Sequence, residues 1–200
     1  MIMGVVLAGG RATRMGGGDK GLRRVAGQFL LTHVLDRLTP QVAAVALNAN
    51  GDPQRFDGFG LPVLPDSLPD FPGPLAGILA GLDWGARMGA AHIVTVAADT
   101  PFFPHDLVLR LQGAAGNSGV AVAATRRNGA LQLQPTFGLW PVALRDDLRA
   151  ELLRGLRKVM LWAERHDAGI AEFGTDPLDP FFNINTPEDL SLAEHLAGTG

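Results

Sequence analysis

The apolar run IMGVVLA, residues 2–8, passes without a break into GGRATRMGGGDKG, residues 9–21. A run of this length reads as a strand buried on both faces, and the glycine-rich stretch behind it falls at that strand's carboxyl end. That is the edge where open α/β sheets bind ligands. Gly9, Gly10, Gly16, Gly17, Gly18 and Gly21 let the backbone come close to a ligand and point amides at it, while Arg11, Arg14, Asp19 and Lys20 supply charge. A triphosphate fits such a loop. The spacing is not that of a P-loop, because Gly21 follows Lys20 where serine or threonine is needed, and no GxGxxG opens a helix.

Valine-rich runs alternate with amphipathic segments along the rest of the chain, the pattern of βαβ units feeding a mainly parallel sheet flanked by helices. Strands are predicted over residues 2–8, 42–47, 61–64, 93–97, 119–125, 134–139 and 169–173, and helices over 30–38, 75–88, 104–112, 142–153, 158–165 and 187–196. The last helix has a start signal: Thr186 caps, Pro187 suits the first helical position, and Asp189 stands where a reciprocal acidic cap belongs. With 200 residues, 46% of them hydrophobic, the chain can build one sizeable core, and no repeat or linker marks a boundary within residues 1–200.

The absence of cysteine excludes disulfides, thiolate metal sites and cysteine nucleophiles. A net charge of −3 and a pI near 5.9 argue against nucleic acid as a partner. No stretch approaches the ~20 apolar residues of a membrane span, so a cytoplasmic protein without membrane contact is expected. The histidines at 33, 92, 105, 166 and 195 form no HExxH pair.

A second chemical signal is IVTVAADTPFF, in which a buried strand ends in Asp99. A carboxylate there faces the same crevice as the first loop if the strands are neighbours. Magnesium takes oxygen ligands, keeps much of its water and binds through one or two carboxylates plus substrate phosphate, which makes Asp99 the expected Mg²⁺ ligand. The competing reading is an aspartate capping the helix predicted near Pro104. In FFNINTPEDL, Asn183 and Asn185 share a side if the segment is extended, and their amides suit a metal or phosphate oxygens as well as they suit a turn.

Taken together, LAGG followed by RMGGGDK, then LNAN, LPDSLPDFPGPLAG, AADTP and NINTPED, in this order over residues 5–190, resemble the molybdenum cofactor guanylyltransferase family. The resemblance implies a single-domain Rossmann-like nucleotidyltransferase fold, with nucleotide binding mainly in residues 1–100 and acceptor binding mainly in 101–190. It implies transfer of GMP from GTP to a molybdopterin-type cofactor, with release of pyrophosphate. Leu7, Ala8, Gly9, Gly10, Lys20, Asn48, Asp66 and Asp99 would contact the nucleotide, and Gly73 and Gly77 would allow its close approach. Arg14, Lys20 and Asp99 would act in catalysis, and Asp99 and Asn185 would hold Mg²⁺. Arg157, Lys158, Asn183 and Asn185 are the expected acceptor-side residues, and residues 134–136 (QPT) resemble a further acceptor-facing element. Transient contact with cofactor-biosynthesis proteins or molybdoenzyme apoproteins is also implied. A relative using CTP, or one using a sugar phosphate as acceptor, would share fold and metal site, and a noncatalytic nucleotide sensor would share the pocket.

Overall fold

The computed structural model describes residues 1–9, 20–68, 73–176 and 179–197. Strand β1 (Ile2–Leu7) is followed by a small hairpin, β2 (Arg24–Val25) and β3 (Gln28–Phe29), then helix α1 (Leu30–Leu38), β4 (Val45–Asn48) and β5 (Val63–Leu64). Helix α2 (Pro74–Arg87) leads to β6 (His92–Ala97), α3 (Leu107–Ala114) and a long hairpin, β7 (Ala121–Arg127) and β8 (Ala130–Pro141). Helices α4 (Arg145–Leu153) and α5 (Val159–Arg165), strand β9 (Gly169–Phe173) and helix α6 (Pro187–Ala197) follow.

The main sheet has the order β5-β4-β1-β6-β8-β7-β9. It is mainly parallel, as the alternation predicts, with β8 antiparallel to both β6 and β7. The cause of the inversion is Asn128-Gly129, which takes φ of 51° and 79°. Both central residues of a tight hairpin turn need positive φ, and a hairpin returns the chain at once, without a crossover helix.

The inverted strand also opens the sheet. Val122 pairs with Gly138 but Ala123 pairs with Gln134, so residues 135–137 bulge out of the ladder, and β6 pairs with β8 only from His92↔Pro141 to Thr95↔Gly138. The rest of β8 continues with β7 as an arm at the carboxyl edge of the sheet. The QPT segment lies at the point where the arm leaves β6.

Helices cover both faces, which is why the parallel strands read as unbroken apolar runs. Val6, Val94 and Val96 pack under α1 and α3, with Leu31, Val34, Leu38, Leu107 and Leu111, while Met3, Val5 and Ile93 pack on the opposite face with Leu75, Ile78, Leu82, Leu148 and Trp162. Each fully buried aliphatic side chain contributes about 1.5–3 kcal/mol. Helix α1 buries Leu30, Leu31, Val34 and Leu38 on one stripe and gives way to the tighter turn Thr39–Gln41 at Pro40, which has no N–H to continue the helical ladder.

Helix α2 lies unusually close to the sheet because glycines recur every four residues on its inner face. A Cβ on Gly77 would stand 2.2 Å from Asn48 Oδ1, one on Gly81 would stand 2.8 Å from Val5 Cγ2, and one on Gly85 would stand 2.9 Å from Ile93 Cγ2. This row presses the amino end of α2 against the carboxyl ends of β1 and β4. Gly77 therefore serves close contact within the protein. Gly73, just before α2, has φ 118° and ψ 174°, a conformation open essentially to glycine alone.

Candidate functional site

Strand β1 sits where the order of connection reverses, between β4 on one side and β6 on the other. Leu7 is in register with Asn48 on β4 and with Ala97 on β6, and the rows are extended by Ala8 N–H donating to Asn48 O at 2.9 Å and Ala98 N–H donating to Leu7 O at 3.1 Å. With about 4.8 Å between neighbouring strands, the row from Asn48 to Ala97 is about 10 Å long. Asn48 and Asp66 stand at one end and Asp99 at the other.

Asn48 is 4% exposed, so its amide must be satisfied inside the protein. Its Nδ2 donates to Leu64 O at 3.1 Å and to Asp66 Oδ1 at 2.9 Å. An amide nitrogen has two protons, and both are committed here. The carbonyl Oδ1 is left facing Gly77 and Gly9, 3.8 Å from where a Cβ on Gly9 would lie. Gly9 is exposed, Ala8 buried and Leu7 half-buried.

Asp99 follows β6 and is half-buried. Its carbonyl accepts from Ile184 N–H at 2.9 Å, and the Thr100 hydroxyl lies 3.3 Å from Asp99 Oδ1 while also donating to Asn183 Oδ1 in a short contact. Asp99 caps no helix, since α3 begins at Leu107 with Asp106 in the cap position. Ile184 is fully buried between exposed Asn183 and half-buried Asn185, so the asparagines flank an inward anchor.

A small apolar cluster fastens these segments together. Val25 and Leu30 come from the exit of the first loop, Ile184 from the asparagine segment, and Phe102, Phe182 and Leu190 pack around them. The turn Lys20–Leu22 is held next to β6: a Cβ on Gly21 would lie 3.4 Å from the Cβ of Ala98. The backbone at Lys20 and Asp99 thus flanks one contact. Gly10 and Arg14 lie outside the described residues. Sequence reasoning missed the β2–β3 hairpin that delivers this arrangement. The signal was Ala26-Gly27, which takes φ of 50° and 81° between Val25 and Phe29.

The predicted cap of α6 is present. Asp189 Oδ2 accepts from Asn185 N–H at 2.9 Å and Thr186 N–H at 2.8 Å, and Asp189 N–H donates to Thr186 Oγ1 at 3.1 Å. The bond from Asn185 N–H, ahead of the opposing effect of desolvation, holds the Asp189 carboxyl below its usual range, with Thr186 adding to it. A lowered folded pKa gives stability that is full above the unfolded value and lost as pH falls through the folded one. Asp189→Asn should therefore lower the melting midpoint by about 2–4 °C at pH 7. The gap from the parent should close below about pH 4. Melting curves of both proteins across this range check it.

Arg157 and Lys158 lie in the connection between α4 and α5, which the strand directions put at the carboxyl edge. Arg157 donates to Leu156 O at 2.8 Å and Leu152 O at 3.2 Å, closing the end of α4. Lys158 is exposed at the start of α5. Phe137, Trp140, Trp162 and Phe181 are buried core residues.

Among the described residues no three histidine, aspartate or glutamate side chains cluster as a metal cage. Among the described residues, Asp99 brings a carboxylate, Thr100 a hydroxyl and Asn183 an amide oxygen to this place. That set fits a hard, water-keeping cation such as Mg²⁺ completed by substrate phosphate, and not a softer metal held by protein alone.

A mainly parallel sheet with its polar side chains gathered at the carboxyl ends beside the point of reversal defines a Rossmann-like nucleotide-binding fold. The family model for the MobA-like NTP transferase domain matches residues 4–168, and the chain belongs to that family. It is 53% identical over 196 residues to a molybdenum cofactor guanylyltransferase of Rhodopseudomonas palustris (strain BisB5), covering 96% of this chain and 92% of the relative. It is 51% identical over 201 residues to a protein of the same name from Bradyrhizobium sp. (strain ORS 278), covering 98% and 93%. The solved structure of molybdopterin-guanine dinucleotide biosynthesis protein A from Archaeoglobus fulgidus has the same fold, with a TM-score of 0.73 at 24% identity over 99% of this chain and 100% of that one.

Proposed function

We propose that this enzyme transfers GMP from GTP to the terminal phosphate of a molybdopterin-type cofactor, releasing pyrophosphate and forming the guanine dinucleotide of the cofactor. The observation that supports it most is the fixed amide of Asn48, whose acceptor oxygen lies against Gly77 on one side and faces Gly9 on the other. Guanine offers N1–H and 2-amino donors to such an acceptor, whereas a base lacking that pair would leave Asn48 poorly matched. The base lies at the Asn48 end of the row and the phosphates run toward Asp99 and the first loop, a span that suits one nucleotide. The names carried by relatives about half identical in sequence favour the same reaction.

In the step itself an oxygen of the acceptor phosphate bonds to the α-phosphorus of GTP, the bond from that phosphorus to the α–β bridging oxygen breaks, and pyrophosphate leaves with that electron pair. The acceptor phosphate is already ionised at neutral pH, so catalysis is alignment and charge neutralisation without a general base. Lys20 and Arg14 neutralise the leaving group. Asp99 and Asn185 would hold Mg²⁺, which when bound would supply charge neutralisation at the phosphates. Asn183, Arg157 and Lys158 bind the acceptor at the opened edge beside the β7–β8 arm. The reaction belongs in the cytoplasm, and the product is handed over through transient contact with molybdoenzyme apoproteins or other cofactor-biosynthesis proteins. Among the described residues no helix is long and apolar enough to cross a membrane.

The test is pyrophosphate release with magnesium, molybdopterin and each of the four common nucleoside triphosphates in turn. Release is expected with GTP alone and only when the pterin is present. Equal rates with CTP would overturn the guanine assignment, and equal release without the pterin would overturn the acceptor.

A further inference from the structure

Asp66 orients the Asn48 amide, and the question is what orients Asp66. Its second oxygen, Oδ2, accepts from Asn50 Nδ2 at 2.7 Å, and its own backbone N–H donates to Asn50 Oδ1 at 2.9 Å. The Asn50 amide thus pairs with the main chain and the carboxylate of one residue, which fixes the rotation of that carboxylate. Asn50 is itself pinned: its carbonyl accepts from Arg55 Nη2 at 2.6 Å, and the chain turns sharply after it at Gly51, with φ 84°.

We propose that Asn50 is a positioning residue that decides which atom of Asn48 faces the base, an inference that rests on the guanine reading above. Asn50 is exposed. It acts at a distance, through the row Asn50–Asp66–Asn48, in which each amide donates to a different oxygen of one carboxylate. If the Asp66 carboxylate turns, Asn48 Nδ2 loses one of its two acceptors. The amide can then rotate its nitrogen toward the ligand, presenting a donor where guanine also presents donors. Selection for guanine weakens even though Asn48 is unchanged.

Asn50→Asp separates this role from simple support of the loop. It keeps the size of the side chain and the acceptor for Asp66 N–H, but it sets a second carboxylate against Asp66 Oδ2 where a donor stood. The full chain, its Asn50→Asp and Asn50→Ala variants, and Asn48→Ala as a reference are assayed with GTP and with inosine triphosphate, which lacks the 2-amino group. For both Asn50 variants KM for GTP should rise about tenfold with kcat within about threefold, and the preference for GTP over inosine triphosphate should shrink by a similar factor. An unchanged preference in both Asn50 variants, while Asn48→Ala loses it, would overturn the role of Asn50 and leave the guanine reading standing. An unchanged preference in Asn48→Ala as well would overturn both. A fall in kcat and melting midpoint without a change in preference would mark Asn50 as a loop support only, against the proposal.

Discussion

Asp99→Ala should lower kcat for guanylyl transfer by about 10³-fold or more, while the affinity for GTP measured without divalent cation changes less than about threefold. The residue is carried at the end of β6, where Ile184 N–H bonds its carbonyl and Thr100 stands 3.3 Å from its carboxylate. Alanine keeps the carbonyl link, so the backbone and the Ile184 anchor remain in place. What goes is the negative charge proposed to hold the cation against the phosphates, which would be needed most when charge moves onto the leaving group. Steady-state kinetics over a magnesium titration, with isothermal titration of GTP, separate the two effects. Most of the activity surviving at saturating magnesium would show that another group holds the ion.

Gly77→Ala should raise KM for GTP about tenfold or more and lower the melting midpoint, against the usual preference of helices for alanine. Exchange of glycine for alanine inside a helix ordinarily adds about 0.8–1.0 kcal/mol of stability. Here the new methyl would lie 2.2 Å from Asn48 Oδ1 and 2.8 Å from Leu7 Cδ2. The Leu7 side chain can turn its end aside, but the Asn48 amide is not free to yield, since it is bonded to Leu64 O and Asp66. Overpacking of this kind costs about 1–3 kcal/mol, so the steric cost exceeds the helical gain. A matched control is Gly113→Ala on α3, where nothing lies within 4 Å of the added carbon, and there the helical gain should prevail. Thermal melts of the two variants check the sign, and nucleotide kinetics of Gly77→Ala check the link to Asn48.

The contrast between those glycines shows where reading from sequence alone succeeds. Apolar period and caps act over a few residues, so β9 and α1 fall on the predicted bounds, and the reciprocal bonds between Thr186 and Asp189 form as their spacing requires. The place of β8 depends on Asn128-Gly129, a hairpin turn signal between the strands predicted over 119–125 and 134–139, and the parallel pattern of the rest of the chain does not show that it inverts the second of them. The bulge at residues 135–137 is a matter of register between strands, which no local pattern fixes.

The candidate site divides in the same way. Asp99 was visible because a carboxylate at the end of a buried strand needs a reason, and Asn48 and Asp66 were visible through the family resemblance. The bonds that give them meaning run between residues 16 or 18 positions apart, and Asn50 has no local mark of its role. Gly77 was read as room for a ligand because a glycine in a sequence does not say whether protein or substrate fills the space. The packing of α2 on β1 and β4 shows that protein fills the side of Gly77 where a Cβ would stand.

The most direct measurement follows the phosphorus atoms. GTP labelled at the α-phosphate should pass its label to the pterin, giving a labelled dinucleotide in step with pyrophosphate, whereas label at the γ-phosphate should appear only in pyrophosphate. Label from the γ-position on the pterin, or α-label remaining wholly in free nucleotide while GTP is consumed, would contradict nucleotidyl transfer by this chain.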